Sequence, residues 1–437
     1  MTVFRIFCFE YRHFKRSLPK VISYLVFLLA CLYAINNGYE LQQRQQRTIQ
    51  NIQNAQNEEI INVTDWYKSG KKGPDDRDWV DVHQPYWALQ YTPSSVFKEP
   101  SSLLPLGIGQ AEQFGYYKEV NFWSATFDND MVEELANPER LVGGTIDFSF
   151  MVIYLLPLLL IILTYNVGGL ERDAQFDRLI SLQFGSPAKW LTIRFSFYAL
   201  LLICTVVVLS LSVAGINAGV FASEKTLWSL IRLACGYVAF FSFLFLMILF
   251  LSSSSSQTAF SMIGFWLLFC LIIPGSVHQV ANMTVPVNYM IDYLDVVRKD
   301  TYAMFSESTE TQSTLLFQVY PTLIDIKVGL ESETSNQYVR RSLSAIINDM
   351  NKEAAQHIED RSELKNQFIR SSYWFNPVSF VQNRWNSYTA TDYYAYQAYR
   401  ERIQHRIDAK LEQLVFDTWN QTTVDQQIYE QYLQAFN

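Results

Sequence analysis

Of 437 residues, 49% are hydrophobic, 15% aromatic and only 17% charged, against about 25% charged in an average soluble chain. A formal net charge of −8 speaks against nucleic acid as a partner, because phosphate binding needs a concentrated basic face. The five cysteines, Cys8, Cys31, Cys204, Cys235 and Cys270, form no close C-x-x-C pair, which argues against a disulfide scaffold and a cysteine zinc site.

Residues 1–20 carry Arg5, Arg12, Lys15, Arg16 and Lys20 against one acid, Glu10. The apolar run 21–36 reads as a first transmembrane helix, and its basic flank places the N-terminus in the cytoplasm. Leu28–Leu29–Ala30–Cys31 also looks like a lipoprotein cleavage box, but apolar residues continue past Cys31 through Leu32, Tyr33 and Ile35. Residues 37–147 read as the first part of an extracytoplasmic domain. Within them, Glu40 to Glu59 is rich in Gln and Asn, with Leu41, Ile49, Ile52 and Ile60 spaced for a narrow helical stripe. That pattern predicts a helical stalk continuing the first span, with an unstructured linker as the alternative. The piece Trp79 to Tyr91, bounded by turn signals, predicts a small β element.

A second span is predicted over 148–163. The cytoplasmic loop 164–190 passes Gly168 and Gly169 and then predicts a short amphipathic helix from Glu171 to Ile180. There Phe176, Leu179 and Ile180 share a face, and acids in the first turn suit the helix dipole. From periodicity alone, a helix that merely connects two spans is an equal alternative. Three further spans fall within 191–277. Arg232 lies near the outer end of one of them, as a snorkelling or a functional residue, and Pro274–Gly275 predicts the break of the last. Residues 278–437 return to polar, helical sequence on the outer side. Leu343, Ile346, Ile347, Met350, Ala354, Ile358, Leu364 and Phe368 form one stripe, and Ile403, Ile407, Leu411, Leu414 and Val415 another. Neither helix can bury its stripe alone, so both are expected to pack with the 40–147 segment. The fold class expected is an all-α membrane protein: five transmembrane helices and a mostly helical composite extracytoplasmic domain with a small β element.

No phosphate-binding G-x-x-x-x-G-K-[ST] loop, G-x-S-x-G elbow or H-E-x-x-H helix occurs. The five histidines, His13, His83, His278, His357 and His405, are scattered with no i,i+4 pair. Neither catalysis nor a metal or cofactor is expected in this chain.

Several stretches together resemble one family: Tyr33–Ala34–Ile35–Asn36–Asn37–Gly38, Leu106–Gly107–Ile108–Gly109–Gln110 with Tyr116–Tyr117–Lys118, and Asn137–Pro138–Glu139–Arg140–Leu141. The longest piece runs from Asp147–Phe148 through Tyr154–Leu155–Leu156–Pro157 and Tyr165–Asn166 to Glu171–Arg172, and Asn376–Pro377 extends the set. The chain is similar, over most of its length, to permease subunits of type-2 ABC transporters with large extracytoplasmic insertions. The resemblance implies a bacterial inner-membrane, multi-pass subunit with a cytoplasmic N-terminus; five spans then put the C-terminus outside. It implies a cytoplasmic ABC ATPase partner holding ATP and Mg, and a second permease chain in a homo- or heterodimer. The helix after the second span would be the coupling helix, with the docking role carried to Glu171, Arg172 and Phe176 and with Asp173 beside them. Two departures stand out. Asp173–Ala174–Gln175–Phe176 replaces a Gln-Gly-Thr-like turn, and the family's sixth span has no counterpart among the five read here. These departures favour a different class of function, an ATPase-driven transmitter or an anchored scaffold acting on a periplasmic protein.

Overall fold

The computed structural model describes residues 3–127, 146–169, 176, 182, 186–217, 224–287, 290–327 and 332–436. It divides into an apolar helical bundle and a polar helical body. Among the described residues, four helices are long and apolar enough to cross a membrane: α2 (Leu18–Ser69), α5 (Pro187–Ile216), α6 (Glu224–Leu251) and α7 (Ser255–Thr284). The apolar helix α4 (Phe148–Thr164) is shorter. Side chains on the bundle's outside stay apolar and exposed, among them Val26, Leu29, Val208, Phe243 and Phe260, which suits lipid as the solvent. The helix α1 (Val3–Arg16) precedes α2 and packs along α5.

The long α2 organises the rest. Pro19 suits its first turn, where a missing N–H is no loss, and Gly70 closes it at φ +66°. The N–H of Lys71 reaches back to the carbonyl of Trp66 at 2.9 Å, the 6→1 bond that ends a helix on a left-handed glycine. Its 52 residues span about 78 Å at 1.5 Å per residue, whereas ~20 residues cross a bilayer core. The stalk read over Glu40–Glu59 is thus the unbroken continuation of the first apolar helix. That helix does not stop at 36.

The polar body begins with α3 (Pro85–Gln90) and a two-stranded antiparallel sheet, β1 (Ser95–Phe97) against β2 (Tyr117–Glu119), with Val96 opposite Lys118. The strand expected over Trp79–Tyr91 is therefore corrected. Pro85 starts a helical turn there, and the strands lie later in the chain. The body continues with α8 (Asp295–Ser306), α9 (Thr309–Val319), α10 (Leu323–Lys327), α11 (Ser332–Arg341) and α12 (Leu343–Ser371). It closes with α13 (Pro377–Tyr388), α14 (Tyr393–Trp419) and α15 (Gln426–Phe436).

Two large cores, with three smaller clusters beside them among the described residues, hold these parts. The bundle core joins Phe27, Cys31 and Ala34 of α2 to α4, α5, α6 and α7, and it also takes in Val378, Val381 and Trp385 of α13. The body core joins Val63 of α2, Ala88 and Leu89 of α3, Val96 and Phe122 to Leu343, Ile346 and Ile347 of α12 and to Ile403 through Trp419 of α14. The two sequence segments therefore share one core, as their unpaired stripes require. The α12 stripe is shorter than its spacing suggests: Ile358 is buried, but Leu364 is 55% exposed and Phe368 lies at the surface.

Pro274–Gly275 does not break the last apolar helix, which runs on to Thr284. A π-turn at Leu268–Ile272 precedes the proline, and a second one, Met151–Leu155, precedes Pro157 in α4. Proline takes away an N–H and crowds the preceding turn; the wider turn accommodates both. All five cysteines are free.

Candidate functional site

One end of the bundle is pinned by buried charge. Glu10 of α1 is fully buried, and Arg194 of α5 is 4% exposed. The Arg194 Nε donates to Glu10 Oε1, and the Tyr198 hydroxyl donates to Glu10 Oε2 at 3.0 Å. Lys20, at the start of α2, donates to the carbonyl of Leu163 at 2.6 Å and to the Tyr198 oxygen at 3.4 Å. The Arg194 guanidinium also stacks 4.3 Å from the Trp190 ring. This network ties α1, α2, the end of α4 and the start of α5 into one unit. Removing one member of such a buried pair strands a charge. Leu163 and Arg194 bracket the 164–190 connection, so a force on that connection reaches all four helices. The turn after α4 is equally tight. A Cβ on Gly168, which has φ +75°, would lie 2.1 Å from Leu191, and one on Gly169 would lie 1.9 Å from the Ser255 hydroxyl.

Within that connection, Glu171, Arg172 and Asp173 lie outside the described residues, as does most of the helix expected over Glu171–Ile180. Phe176 is in a turn, with 52% of its surface exposed. Arg232 is exposed and donates to Ser229 Oγ one turn earlier on α6 at 3.1 Å.

At the opposite end of the bundle, stretches far apart in sequence meet. Gly38 of α2 lets the chain at Pro105 approach so closely that a Cβ would come within 2.8 Å of Pro105 Cα. The next residues wrap onto α13. The Trp385 indole N–H donates to the Leu106 carbonyl at 2.8 Å, and the Gln110 N–H donates to the Thr391 carbonyl at 3.0 Å. Gly109, at φ +50°, has Thr391 against the place its Cβ would occupy. Asp147 caps α4 through the Phe150 N–H at 2.7 Å and also accepts from the Ile108 N–H at 3.0 Å and the Ser149 hydroxyl at 2.8 Å. Asn376 is buried and caps α13 by accepting from the Ser379 N–H at 3.2 Å. Gly38, Leu106–Gln110, Asp147 and Asn376 thus converge on one junction. Asn137–Leu141 lies outside the described residues.

The π-turns face this junction, and α13 packs on both. Pro157 has no N–H to give the Ile153 carbonyl; the Tyr237 hydroxyl donates to it at 2.6 Å. The neighbouring Tyr154 carbonyl accepts from the Trp266 indole at 2.9 Å, and the Tyr154 hydroxyl donates to Gln382 of α13 at 3.0 Å. Side chains from α6, α7 and α13 therefore complete the irregular stretch of α4. Nothing in the linear sequence pairs Glu10 with Arg194 or Tyr237 with Ile153. The only hint was the presence of single polar residues in apolar surroundings.

Between α12, α13 and the 108–113 segment lies a polar cleft. One lobe of about 540 Å³ adjoins another of about 370 Å³, and Gln110, His278, Asn383 and Asn386 line both. Gln110 Oε1 and Asn386 Oδ1 are shut off from solvent with no hydrogen-bond partner among the described residues. Burial raises the pKa of Asp392, which lines the larger lobe, opposed in part by backbone hydrogen bonds and by Lys98 and Arg370; burial also lowers the pKa of Lys98 to about 8. Amides, guanidinium groups and aromatic faces around one space suit reversible binding of a polar ligand. Comparison with protein-family models, with curated proteins and with solved structures gives no match.

Proposed function

We propose that this chain is the membrane-spanning permease subunit of a bacterial ABC transporter, driven by a separate cytoplasmic ATPase that docks on the 164–190 connection. The observation that carries this reading is the buried network at Glu10, Lys20, Arg194 and Tyr198. It brackets the connection and fixes it to α2, which among the described residues is the one helix that belongs to both cores. In this reading α1 and its basic residues face the cytoplasm, the polar body lies outside, and ATP and Mg belong to the partner. A second permease chain would complete the path. Glu171, Arg172, Asp173 and Phe176 would meet the ATPase; the exposed Phe176 ring offers an apolar contact, and reversing the charge at Glu171 would oppose docking.

A second reading, an ATPase-driven transmitter acting on a periplasmic protein, is favoured by the continuity of α2, because a single helix carries displacement directly from the bundle to the polar body. The test is affinity purification of the tagged chain in mild detergent, with identification of co-purifying proteins. Recovery of an ATP-binding subunit with the native chain and its loss with Glu171→Lys, with the polar body still protease-resistant, is the expected result. Recovery of outer-side proteins alone would overturn both ATP-driven readings and leave a membrane-anchored scaffold.

A further inference from the structure

The cleft at the junction holds polar groups that packing does not satisfy. Gln110 Oε1 and Asn386 Oδ1 are buried acceptors without donors among the described residues, an unfavourable state that rotation of either amide toward a ligand hydroxyl in the cleft relieves. Both line the larger lobe. Arg370 and Arg384 line the same lobe and are exposed. The Arg370 guanidinium lies 4.5 Å from the Tyr394 ring, and that of Arg384 lies 5.8 Å from the Tyr388 ring. A guanidinium held against a ring keeps its N–H edge free for paired oxygens, the geometry that suits phosphate.

The place of the cleft identifies the source of such a ligand. One wall, α13, packs on the apolar bundle through Val378, Val381 and Trp385. Beside the lining residues Tyr373 and Phe380 sit Trp374, 85% exposed, and Phe375, 38% exposed; Phe380 itself is 40% exposed. Exposed aromatic rings at the end of a membrane bundle are the composition of the lipid headgroup zone. An acyl chain can lie along the bundle there while its headgroup turns into the cleft.

We propose that this cleft binds the headgroup of a membrane lipid of the polyol phosphate class, a glycerol or sugar phosphate. Its phosphate meets Arg370 and Arg384, and its hydroxyls donate to Gln110 and Asn386. This deepens the transport reading by naming a substrate class and rests on it only for what the bound lipid is used for. The binding test contains no ATPase, so failed docking and failed lipid binding are told apart.

The experiment titrates the full-length chain, in a detergent without sugar groups, with dihexanoyl phosphatidylglycerol below its micelle concentration, followed by calorimetry. The expected result is saturable binding, with dihexanoyl phosphatidylcholine at least tenfold weaker because it lacks both the hydroxyls and the net charge. Arg370→Gln with Arg384→Gln should weaken phosphatidylglycerol binding at least tenfold, and Gln110→Leu should weaken it about threefold. Both arginines are exposed, so an unchanged thermal melt and near-UV spectrum will accompany that loss. Equal affinity for the two lipids, or unchanged affinity in the arginine variant, overturns the site. Glycerol 1-phosphate binding as tightly as the lipid overturns the membrane source.

Discussion

Replacing Tyr237 by Phe removes one oxygen from the bundle, the donor 2.6 Å from the Ile153 carbonyl. Proline at 157 cannot make the i→i−4 bond to that carbonyl, and Tyr237 is 3% exposed, so water does not take over. A buried acceptor left without a donor costs about 1–3 kcal/mol, and Tyr237→Phe should destabilise the chain by that amount. In a Pro157→Ala background an N–H is again available, and the same substitution should cost less than about 1 kcal/mol. The double-mutant cycle isolates this coupling. The weak contact of Tyr237 with Cys270 Sγ at 3.9 Å is lost in both backgrounds and cancels. The assay is equilibrium unfolding in mixed micelles with graded SDS, followed by tryptophan fluorescence. An equal loss in both backgrounds would refute the argument that the hydroxyl replaces the missing proline N–H.

Arg194→Met leaves the Glu10 carboxylate buried without its guanidinium and should cost about 3–5 kcal/mol, while adding Glu10→Gln should recover most of it; the same unfolding assay decides. Gly38→Ala places a Cβ 2.8 Å from Pro105 Cα and 3.0 Å from the Leu104 carbonyl oxygen, an overpacking expected to cost about 1–3 kcal/mol. Gly236→Ala, with nothing within 4 Å, is the control and should be neutral or stabilising by up to about 1 kcal/mol. Lys410 of α14 is 3% exposed and donates to the carbonyls of Thr92 and Val120, each at 3.1 Å. Burial lowers its pKa to about 8 from the ordinary 10.5, against the pull of Glu119 and Glu59. The unfolded chain therefore binds the extra proton between pH 8 and 10.5, so this lysine's contribution to stability rises with pH across that window. The rise is on the order of 3 kcal/mol. Melting curves from pH 7 to 10.5 should show it in the native chain and lack it in Lys410→Met; parallel curves would count against it.

Periodicity made the long elements legible. The five apolar runs became helices, four of them long enough to cross a membrane and the one over 148–163 shorter, and the sparse stripe of Leu41, Ile49, Ile52 and Ile60 was enough for the stalk because a helix already under way extends more readily than one that must nucleate. Local chemistry misled where tertiary contacts decide. Trp79–Tyr91 has strand-like residues, yet Pro85 opens a helical turn, and the actual strands are three residues each and separated by a long excursion. Pro274 reads as a break, but a π-turn absorbs it. Leu364 and Phe368 keep the helical spacing of their stripe after the body core has ended. The junction was legible only as motifs; that Asp147 accepts from the Ile108 N–H, 39 residues away, has no signal in local pattern. Glu10 looked like one acid in a basic tail, and only the fold reveals it as the partner of Arg194.

The cleft's two walls have different main supports and are joined to each other, the Trp385 indole donating to the Leu106 carbonyl and the Gln110 N–H to the Thr391 carbonyl. The 104–110 segment rests on α2 through the close approach at Gly38, so one wall moves with α2. The other wall, α13, rests on α6 and both π-turns. A tilt of α2 about its Lys20 end therefore slides one wall past the other only by breaking those two hydrogen bonds. Over its ~78 Å length, a tilt of about 5° carries the far end by roughly 7 Å, and Gly38, about two-fifths of the way along, by roughly 2–3 Å. That displacement is comparable to a hydrogen bond and large enough to separate Gln110 from a ligand still held by Arg384. The lever is fixed at Lys20, to the network that brackets the 164–190 connection. Under the proposed function, an ATPase pushing on that connection would change the affinity of a site at the other end of the bundle without any helix having to bend.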